Sequence, residues 1–318
     1  MYKHAINFMV LFVLFLFSSN TNAQQPSDLK INGMIQLWGM HSNDANINST
    51  FLLKRSEFKL SGSIITDKVS FAFMLDPASV PRHLIQDLII FYQVHPQARI
   101  AVGQMHYPLT MEGLQGSADL DFIDRAIIAG REYGDRRDIG VCVSGSSTVA
   151  KYALGIFGGA GTNITDTNNS KDFAGRVVFN VAKNIHLGAS GYYGPKNQLA
   201  GDISAVKRNR AGFEFAYLGN HFSIKSEFMQ GSEASINNRG YYGTVTYTRN
   251  SKVQFGARFE GWDGNLDLSD NGEYMTTLGV NYKLKGNAAK IMVNYLIRTE
   301  QGPSISNNAF LTQFQVEF

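Results

Sequence analysis

The sequence predicts an all-β fold, a transmembrane antiparallel β-barrel of about sixteen strands with a long third loop folded into its lumen. Three observations predict it. The one long apolar run lies at the N-terminus, the rest of the chain alternates apolar and polar side chains, and short turns alternate with longer polar loops. Charged residues make up 17% of the chain, and its formal net charge is +3. With no run of Lys or Arg, this composition argues against a nucleic-acid partner.

The first 23 residues have the layout of a secretory signal peptide. Lys3 precedes an apolar run over residues 8–17, and small and polar residues up to Ala23 resemble a cleavage site. The alternative is a transmembrane anchor, which needs about 18 apolar residues, whereas this run has ten. We therefore expect residues 1–23 to be removed on export and residues 24–318 to form one barrel domain.

The rest of the chain repeats every two residues, as strands with one apolar and one polar face do. In residues 308–318, Phe310 and Phe314 alternate with Gln313 and Gln315. Six further segments show the pattern clearly, namely residues 289–299, 274–284, 251–262, 206–218, 173–181 and 51–64. About sixteen such segments of roughly ten residues can be counted, as expected for a membrane barrel.

Short turns and long loops alternate along the chain. The predicted turns are residues 182–184, 219–220, 250–251 and 286–287, and the predicted loops lie near residues 159–171, 195–205, 231–237, 263–271 and 301–307. This asymmetry is typical of outer-membrane barrels. Aromatic residues near strand ends suggest interface girdles, at Tyr193, Tyr217, Tyr241, Trp262, Tyr274 and Phe318. The alternative, a soluble β-sandwich or solenoid, would also alternate but would rarely keep this rhythm to its last strand.

Residues 98–143 interrupt the pattern. One strand ends near Met105, another begins near Asp138, and the roughly thirty residues between them have no strand period. Such segments are usually functional, so we expect this one to fold inward and narrow the lumen; the alternative is an external loop with no special role. A short helix is predicted over residues 118–129. The candidate constriction residues are Arg125, Arg131, Arg136, Arg137, Asp121 and Asp124.

The polar faces of the predicted strands carry ten basic and seven acidic residues, a lining that would weakly favour anions. The predicted pore-lining residues are Arg55, Lys59, Asp87, Arg176, Arg208, Arg210, Arg258 and Arg298. The alternative for each charge is a salt bridge along the wall, for which Arg258 with Glu260 and Arg55 with Glu57 are candidates. About sixteen strands leave a water-filled channel rather than a packed core.

Other functional sites are poorly supported. His83, His95 and His106 lack the spacing of a metal site. The chain contains no Gly-x-Ser-x-Gly elbow, and the serines near residue 146 have no histidine close to them in the sequence. We therefore expect no enzyme activity, no metal and no cofactor.

Several short motifs lie in the first half of the chain, namely residues 53–62 (LKRSEFKLSG), Asp87, 102–104 (VGQ), 107–109 (YPL) with Glu112, 122–125 (FIDR) and 137–141 (RDIGV). Together they resemble the phosphate-selective porin O and P family of bacterial outer membranes. The resemblance covers roughly residues 29–143. It implies a trimeric sixteen-stranded porin with an inward third loop, in which phosphate-selective members use wall arginines and loop lysines. This chain departs from that pattern, because its loop has four basic and seven acidic residues and no lysine.

The sequence therefore favours a passive outer-membrane porin for small anionic or polar solutes, with mild anion preference and phosphate as a candidate solute. A broad-specificity porin and a non-conducting structural or adhesive barrel are the alternatives. The expected partners are membrane lipids, further copies of the chain in a homotrimer, and the outer-membrane assembly machinery, which would recognise the strand ending at Phe318. The expected location is the outer membrane of a diderm bacterium, reached by Sec-type export.

Overall fold

The computed structural model describes residues 26–44, 49–79, 83–132, 136–197 and 206–318, without the side chains of residues 196 and 197. Within these ranges, sixteen antiparallel strands form one closed barrel. They are β1 (Ser27–Ser42), β2 (Thr50–Ile65), β3 (Val69–Leu75), β4 (Ile85–His95), β5 (Ala98–His106), β6 (Arg137–Ser146), β7 (Ala150–Phe157), β8 (Asp172–Ala182), β9 (Ile185–Asn197), β10 (Val206–Leu218), β11 (Phe222–Glu233), β12 (Ile236–Arg249), β13 (Val253–Asp263), β14 (Gly272–Lys285), β15 (Ala289–Glu300) and β16 (Ala309–Glu317). β16 pairs with β1 and closes the sheet. The predicted barrel is confirmed; the predicted signal peptide lies outside the described residues.

The strands form because their side chains alternate between two environments. In β16, Phe310 and Phe314 are exposed on the outer surface, whereas Leu311, Gln313 and Gln315 are buried inside. The same alternation runs around the barrel, so that large apolar side chains cover its outer face. A lipid-facing surface with a polar interior requires this arrangement.

The described connections follow the predicted rhythm with one exception, and most of the loop predicted near residues 195–205 lies outside the described residues. Turns at residues 183–184, 219–221, 250–252 and 286–288 match the predicted turns to within one residue. The predicted loop at residues 231–237 is wrong, because Ser232 pairs with Asn237 and Gly231 with Asn238 in the ladder. β11 and β12 therefore continue until a two-residue turn at residues 234–235, where Ala234 has a φ of 56°.

The segment between β5 and β6, described over residues 107–132 and 136, is the long irregular connection that the sequence predicts. It contains helix α1 (Met111–Leu114), a 3-10 turn (Ser117–Asp119) and helix α2 (Ile127–Arg131). The predicted helix over residues 118–129 is wrong, because the backbone N–H groups of Ile123 and Ile127 donate to wall side chains rather than to carbonyls of a preceding turn. None of the described helices is long and apolar enough to cross a bilayer.

Apolar side chains of this segment pack on the inner wall. Ile123 is buried in a cluster with Trp38, Met292, Leu296, Ala309 and Leu311. Ile128 is buried with Ala126, Tyr242 and Trp262. Trp262 therefore lies inside the barrel and not in the outer aromatic girdle that the sequence suggested for it. These contacts cover the inner faces of β12 to β16 and of β1.

Candidate pore

Polar wall side chains hold the segment along its length. Lys290 of β15 donates to the Leu120 carbonyl at 2.8 Å, and Asn281 of β14 donates to the Asp121 carbonyl at 2.8 Å. The Asp121 carboxylate accepts from Lys225 of β11 at 2.7 Å. The first two bonds are accepted by backbone carbonyls of the segment, so they do not depend on which side chains it carries, whereas the third depends on Asp121.

Two wall carboxylates bind the N-termini of the short helices. Glu227 accepts from the backbone N–H groups of Met111 and Glu112 at 2.5 and 3.1 Å, at the start of α1. Glu260 accepts from the N–H of Ile127 at 2.6 Å, at the start of α2. Helix N-termini leave backbone donors without intrahelical partners, and a carboxylate is a favourable acceptor for them. Both carboxylates therefore anchor the segment.

Arg258 of β13 lies under the centre of the segment and is 2% exposed. Its guanidinium donates to Glu260 at 2.9 Å, to Glu112 at 3.4 Å and to the Asp124 carbonyl at 3.0 Å. It also lies over the ring of Phe122, 4.9 Å from the centroid. Glu112 itself accepts a hydrogen bond from the backbone N–H of Ala126 at 2.5 Å. Arg258 therefore bridges Glu112 and Glu260, two carboxylates that each accept from a backbone N–H group of the segment.

The far end of the segment meets β10 and β14. Glu132 is fully buried and pairs with Arg210, while Arg131 pairs with Glu273 at 3.2 Å. Burial raises the pKa of the Glu132 carboxyl to about 7, although the Arg210 guanidinium opposes this shift. The segment is therefore tied to the wall at both ends.

Docking on β11 to β16 leaves a cavity of about 1190 Å³ on the opposite side, between the segment and β1 to β6. Its basic lining residues are Lys54, Arg55, Lys59, Arg125, Arg136 and Arg137, and its acidic ones are Glu57, Asp76, Asp87 and Asp124. The next long loop also reaches this space, because Asn163 donates to Gln104 at 2.7 Å and Thr162 donates to the Arg137 carbonyl at 3.2 Å. Residues 160–164 thus line the cavity as well.

Each cavity carboxylate has close partners. Glu57 pairs with Lys59 at 2.7 Å and Asp87 with Arg137 at 2.7 Å. Asp124 lies 3.9 Å from Lys54. A separate set of donors holds Asp76, namely the N–H groups of Ser56 and Ala78 and the hydroxyl of Ser79.

Arg55 is different, because its guanidinium donates to the neutral side-chain oxygen of Gln36 at 2.8 Å. The Arg55–Glu57 salt bridge considered from the sequence does not form, and Glu57 pairs with Lys59 instead. The Arg258–Glu260 pair does form.

The predicted site residues separate into two groups. Those that line the cavity are Arg55, Lys59, Asp87, Asp124, Arg125, Arg136 and Arg137. The others hold parts of the protein together, namely Asp121, Arg131, Arg176, Arg208, Arg210, Arg258 and Arg298. Arg176 binds Glu214 through two hydrogen bonds, Arg208 pairs with Glu233, and Arg298 donates to the Asn307 carbonyl. Strand alternation identifies an inward side chain, but it does not reveal whether the segment or a neighbouring carboxylate covers it.

Sequence reasoning missed the buried amides and the second inward loop. Gln36 donates to Gln315 at 2.8 Å and to the Ser117 carbonyl at 3.2 Å, which links the β1–β16 seam to the segment. The glycine-rich run at residues 158–161 was a signal for the second loop, since Gly159 and Gly161 have φ values of 86° and 91°. Among the described residues, no group of three or more His, Cys, Asp or Glu side chains could hold a metal ion.

Solved structures of outer-membrane channels have the same fold. The channel DcaP of Acinetobacter baumannii gives a TM-score of 0.70 at 13% identity, over 94% of this chain and 99% of that chain. The anion-selective porin from Comamonas acidovorans gives 0.66 at 12% identity, over 92% and 99%. OmpT of Vibrio cholerae in its trimer form gives 0.67 at 11% identity, over 92% and 100%. At these identities the likeness establishes the fold alone.

A sequence comparison gives the family. No curated protein sequence matches the chain. The family model "Phosphate-selective porin O and P" matches residues 39–202, which is more than half of the chain and includes β2 to β9 with the inward segment. The family resemblance seen in the motifs is confirmed. Family and fold together support an outer-membrane channel rather than an enzyme. The chain belongs to the phosphate-selective porin O and P family.

Proposed function

We propose that the protein is a passive channel for small anions across the outer membrane, with mild selectivity set where the cavity passes the inward segment. The observation that carries the proposal is the charge of the cavity lining, in which six Lys and Arg side chains face four carboxylates. A water-filled constriction with excess positive charge favours anions.

The arrangement of the pairs supports mild rather than strong selectivity. Two of the six cations are within 2.7 Å of a carboxylate, Lys59 with Glu57 and Arg137 with Asp87. Arg55 hydrogen-bonds to a neutral partner, so no ion pair within the described residues offsets its charge. The four carboxylates also favour the second candidate, a porin of broad specificity in which the segment only limits solute size.

Reversal potentials in a salt gradient separate these candidates. We expect chloride to be preferred over potassium, and Arg55→Gln to lower the permeability ratio roughly two- to sixfold. The estimate rests on about 0.5 kcal/mol for a unit charge about 8 Å away in water, acting with opposite sign on the two ions. Arg131→Gln is the matched control, because Arg131 pairs with Glu273 and does not line the cavity.

Equal permeability of the two ions, or an Arg55→Gln channel indistinguishable from the wild type, would remove the anion assignment and leave the broad-specificity porin.

Adding inorganic phosphate during chloride conduction tests the solute, because block of the current indicates phosphate binding in the cavity. Arg125→Ala and Arg137→Ala should also reduce anion preference. The effect of Arg137→Ala should be the larger one, because it leaves Asp87 without its ion-pair partner. A reconstituted protein without conductance would favour the structural or adhesive barrel.

The same proposal includes the assembly and location of the protein. OmpT of Vibrio cholerae, a structural neighbour, is known in a trimer form, which supports a homotrimer. Residues 1–23 would direct Sec-type export and be removed, and the outer-membrane assembly machinery would recognise the Phe318 strand. Mass spectrometry of the protein purified from membranes tests these points through its N-terminal residue and its oligomeric mass.

A further inference from the structure

The seven short turns lie together at one rim of the barrel and are strongly basic. The turns and the two residues on each side contain one acidic residue, Asp67, and eight basic ones. The basic residues are Lys68, Arg99, Lys151, Lys183, Arg249, Lys252, Lys285 and Lys290. Long loops at the other rim are rich in acidic residues, among them Asp166, Asp263 and Glu300. The charge therefore belongs to this rim and not to the chain as a whole, whose formal net charge is +3.

Most of these cations are exposed to solvent. Lys290 is buried under the inward segment, but the other seven are exposed. Within the described part of the chain, none of the seven forms an ion pair with an acidic residue. Arg99 contacts the face of Phe91 at 4.6 Å and the Ser144 hydroxyl at 3.3 Å, neither of which neutralises it. The seven short turns thus carry uncompensated positive charge.

The rim adjoins the edge of the lipid-facing surface. Phe222 and Tyr247 form a tilted aromatic pair on the outer face, with ring centroids 4.7 Å apart. Arg249 follows Tyr247 by two residues on β12 and so extends from the same face of the strand. Aromatic rings at this position mark the interface between hydrocarbon and headgroups, which puts the Arg249 guanidinium at the depth of lipid phosphates.

The spacing of the turns favours many small contacts over one binding site. The β2–β3 turn carries Lys68, and the β8–β9 turn, six strands away along the wall, carries Lys183. With strands about 4.8 Å apart, the two turns are separated by roughly 29 Å of wall. One small anion cannot contact both, whereas a ring of lipids around the barrel can.

We propose that this rim binds the phosphate groups of anionic phospholipids in the leaflet that the short turns face, with Lys68, Lys183, Arg249 and Lys252 as the main contacts. In outer-membrane barrels the short turns face the periplasm. Basic residues near a membrane surface attract anionic lipids, and the attraction weakens within a Debye length. The inference does not depend on which solute the channel passes.

The test measures lipid selectivity of the intact protein in nanodiscs of phosphatidylcholine with a minor fraction of phosphatidylglycerol. Native mass spectrometry counts the phosphatidylglycerol molecules that remain bound on release. The variant combines Lys68→Gln, Lys183→Gln, Arg249→Gln and Lys252→Gln, and we expect its preference for phosphatidylglycerol to fall about tenfold or more. The preference of the wild type should also fall as salt is raised.

The control combines Lys207→Gln and Arg239→Gln, both exposed on the acid-rich rim, and should keep its preference within about twofold of the wild type. An arm with inorganic phosphate separates the two phosphate sources. Phosphate that competes more strongly than chloride at equal ionic strength would indicate a site for the free ion and overturn the lipid assignment. Unchanged lipid selectivity in the fourfold variant would also overturn it. Single-channel conductance of the same samples verifies folding and tests the channel separately.

Discussion

Replacing Arg258 by methionine should loosen the inward segment without disturbing the barrel. The substitution keeps an unbranched side chain of similar length but removes the guanidinium that joins Glu112, Glu260 and the Asp124 carbonyl. Glu112 and Glu260 are 5% and 0% exposed, so both carboxylates would remain buried with one partner fewer. Removing one member of a buried ion pair typically costs about 3–5 kcal/mol.

That cost acts on one equilibrium, between the segment docked on the wall and the segment released into the lumen. Release would let water reach both carboxylates. The substitution should therefore destabilise the docked state by most of this energy and leave the free energy of the released state almost unchanged. A change of about 3–5 kcal/mol shifts the ratio of the two states roughly 10²- to 10³·⁵-fold. The bonds from Lys290, Asn281 and Lys225 remain, so the docked state should still predominate.

Single-channel recording at fixed voltage measures the result. Arg258→Met should show brief openings to a higher conductance, about 10²- to 10³·⁵-fold more often than the wild type, because the released segment no longer narrows the lumen along this part of the wall. Arg176→Met is the matched control, since Arg176 also binds a buried wall carboxylate, Glu214, but forms no hydrogen bond or ion pair with the described residues of the segment. If Arg176→Met produces the same openings, or Arg258→Met produces none, the segment is not held in the way described.

Three further predictions concern stability and assembly. Gly103→Ala should destabilise the barrel by about 1–3 kcal/mol or more, because Gly103 has a φ of 130° and an added Cβ would lie 2.0 Å from the Leu88 carbonyl oxygen; thermal unfolding in detergent measures it. Glu132 has a folded-state pKa raised to about 7 from 4.5, so its contribution to stability is full below about pH 4.5 and is lost as the pH rises through 7. Glu132→Gln should flatten that dependence of the melting temperature, and an unchanged slope would contradict the assignment. Phe318→Ala should lower the folded yield after dilution from urea into detergent, because the ring covers Gly33 and the two backbones exchange hydrogen bonds of 2.7 and 2.9 Å.

The strands could be predicted because their physical cause is local. A two-residue alternation such as Phe310 to Gln315 needs no knowledge of any other part of the chain. The break at residues 107–136 could be predicted for the same reason, as could the inward position of Arg258 and Arg55. What the sequence cannot distinguish is that Arg258 lies beneath the segment while Arg55 faces the cavity, because that difference depends on which part of the wall the segment covers.

The helix predicted over residues 118–129 failed for a related reason. Its apolar spacing is real, and Phe122, Ile123 and Ile128 are buried against the wall. However, the side chains of Asn294 and Glu260 accept hydrogen bonds from backbone N–H groups that would donate to backbone carbonyls within a helix. A local pattern cannot anticipate competition from acceptors more than a hundred residues away.

The seam between β1 and β16 has a consequence for biogenesis. Gln36 and Gln315, which meet there, are separated by 279 positions in the chain. Until β16 is present, the backbone N–H and C=O groups at the free edge of β1 have no strand to pair with. Unpaired strand edges promote association between chains. Contacts between such distant parts also form slowly. The unfolded polypeptide must therefore be kept apart from other copies while it is in water, before it reaches the membrane. A chain that is truncated before β16 should be degraded rather than inserted.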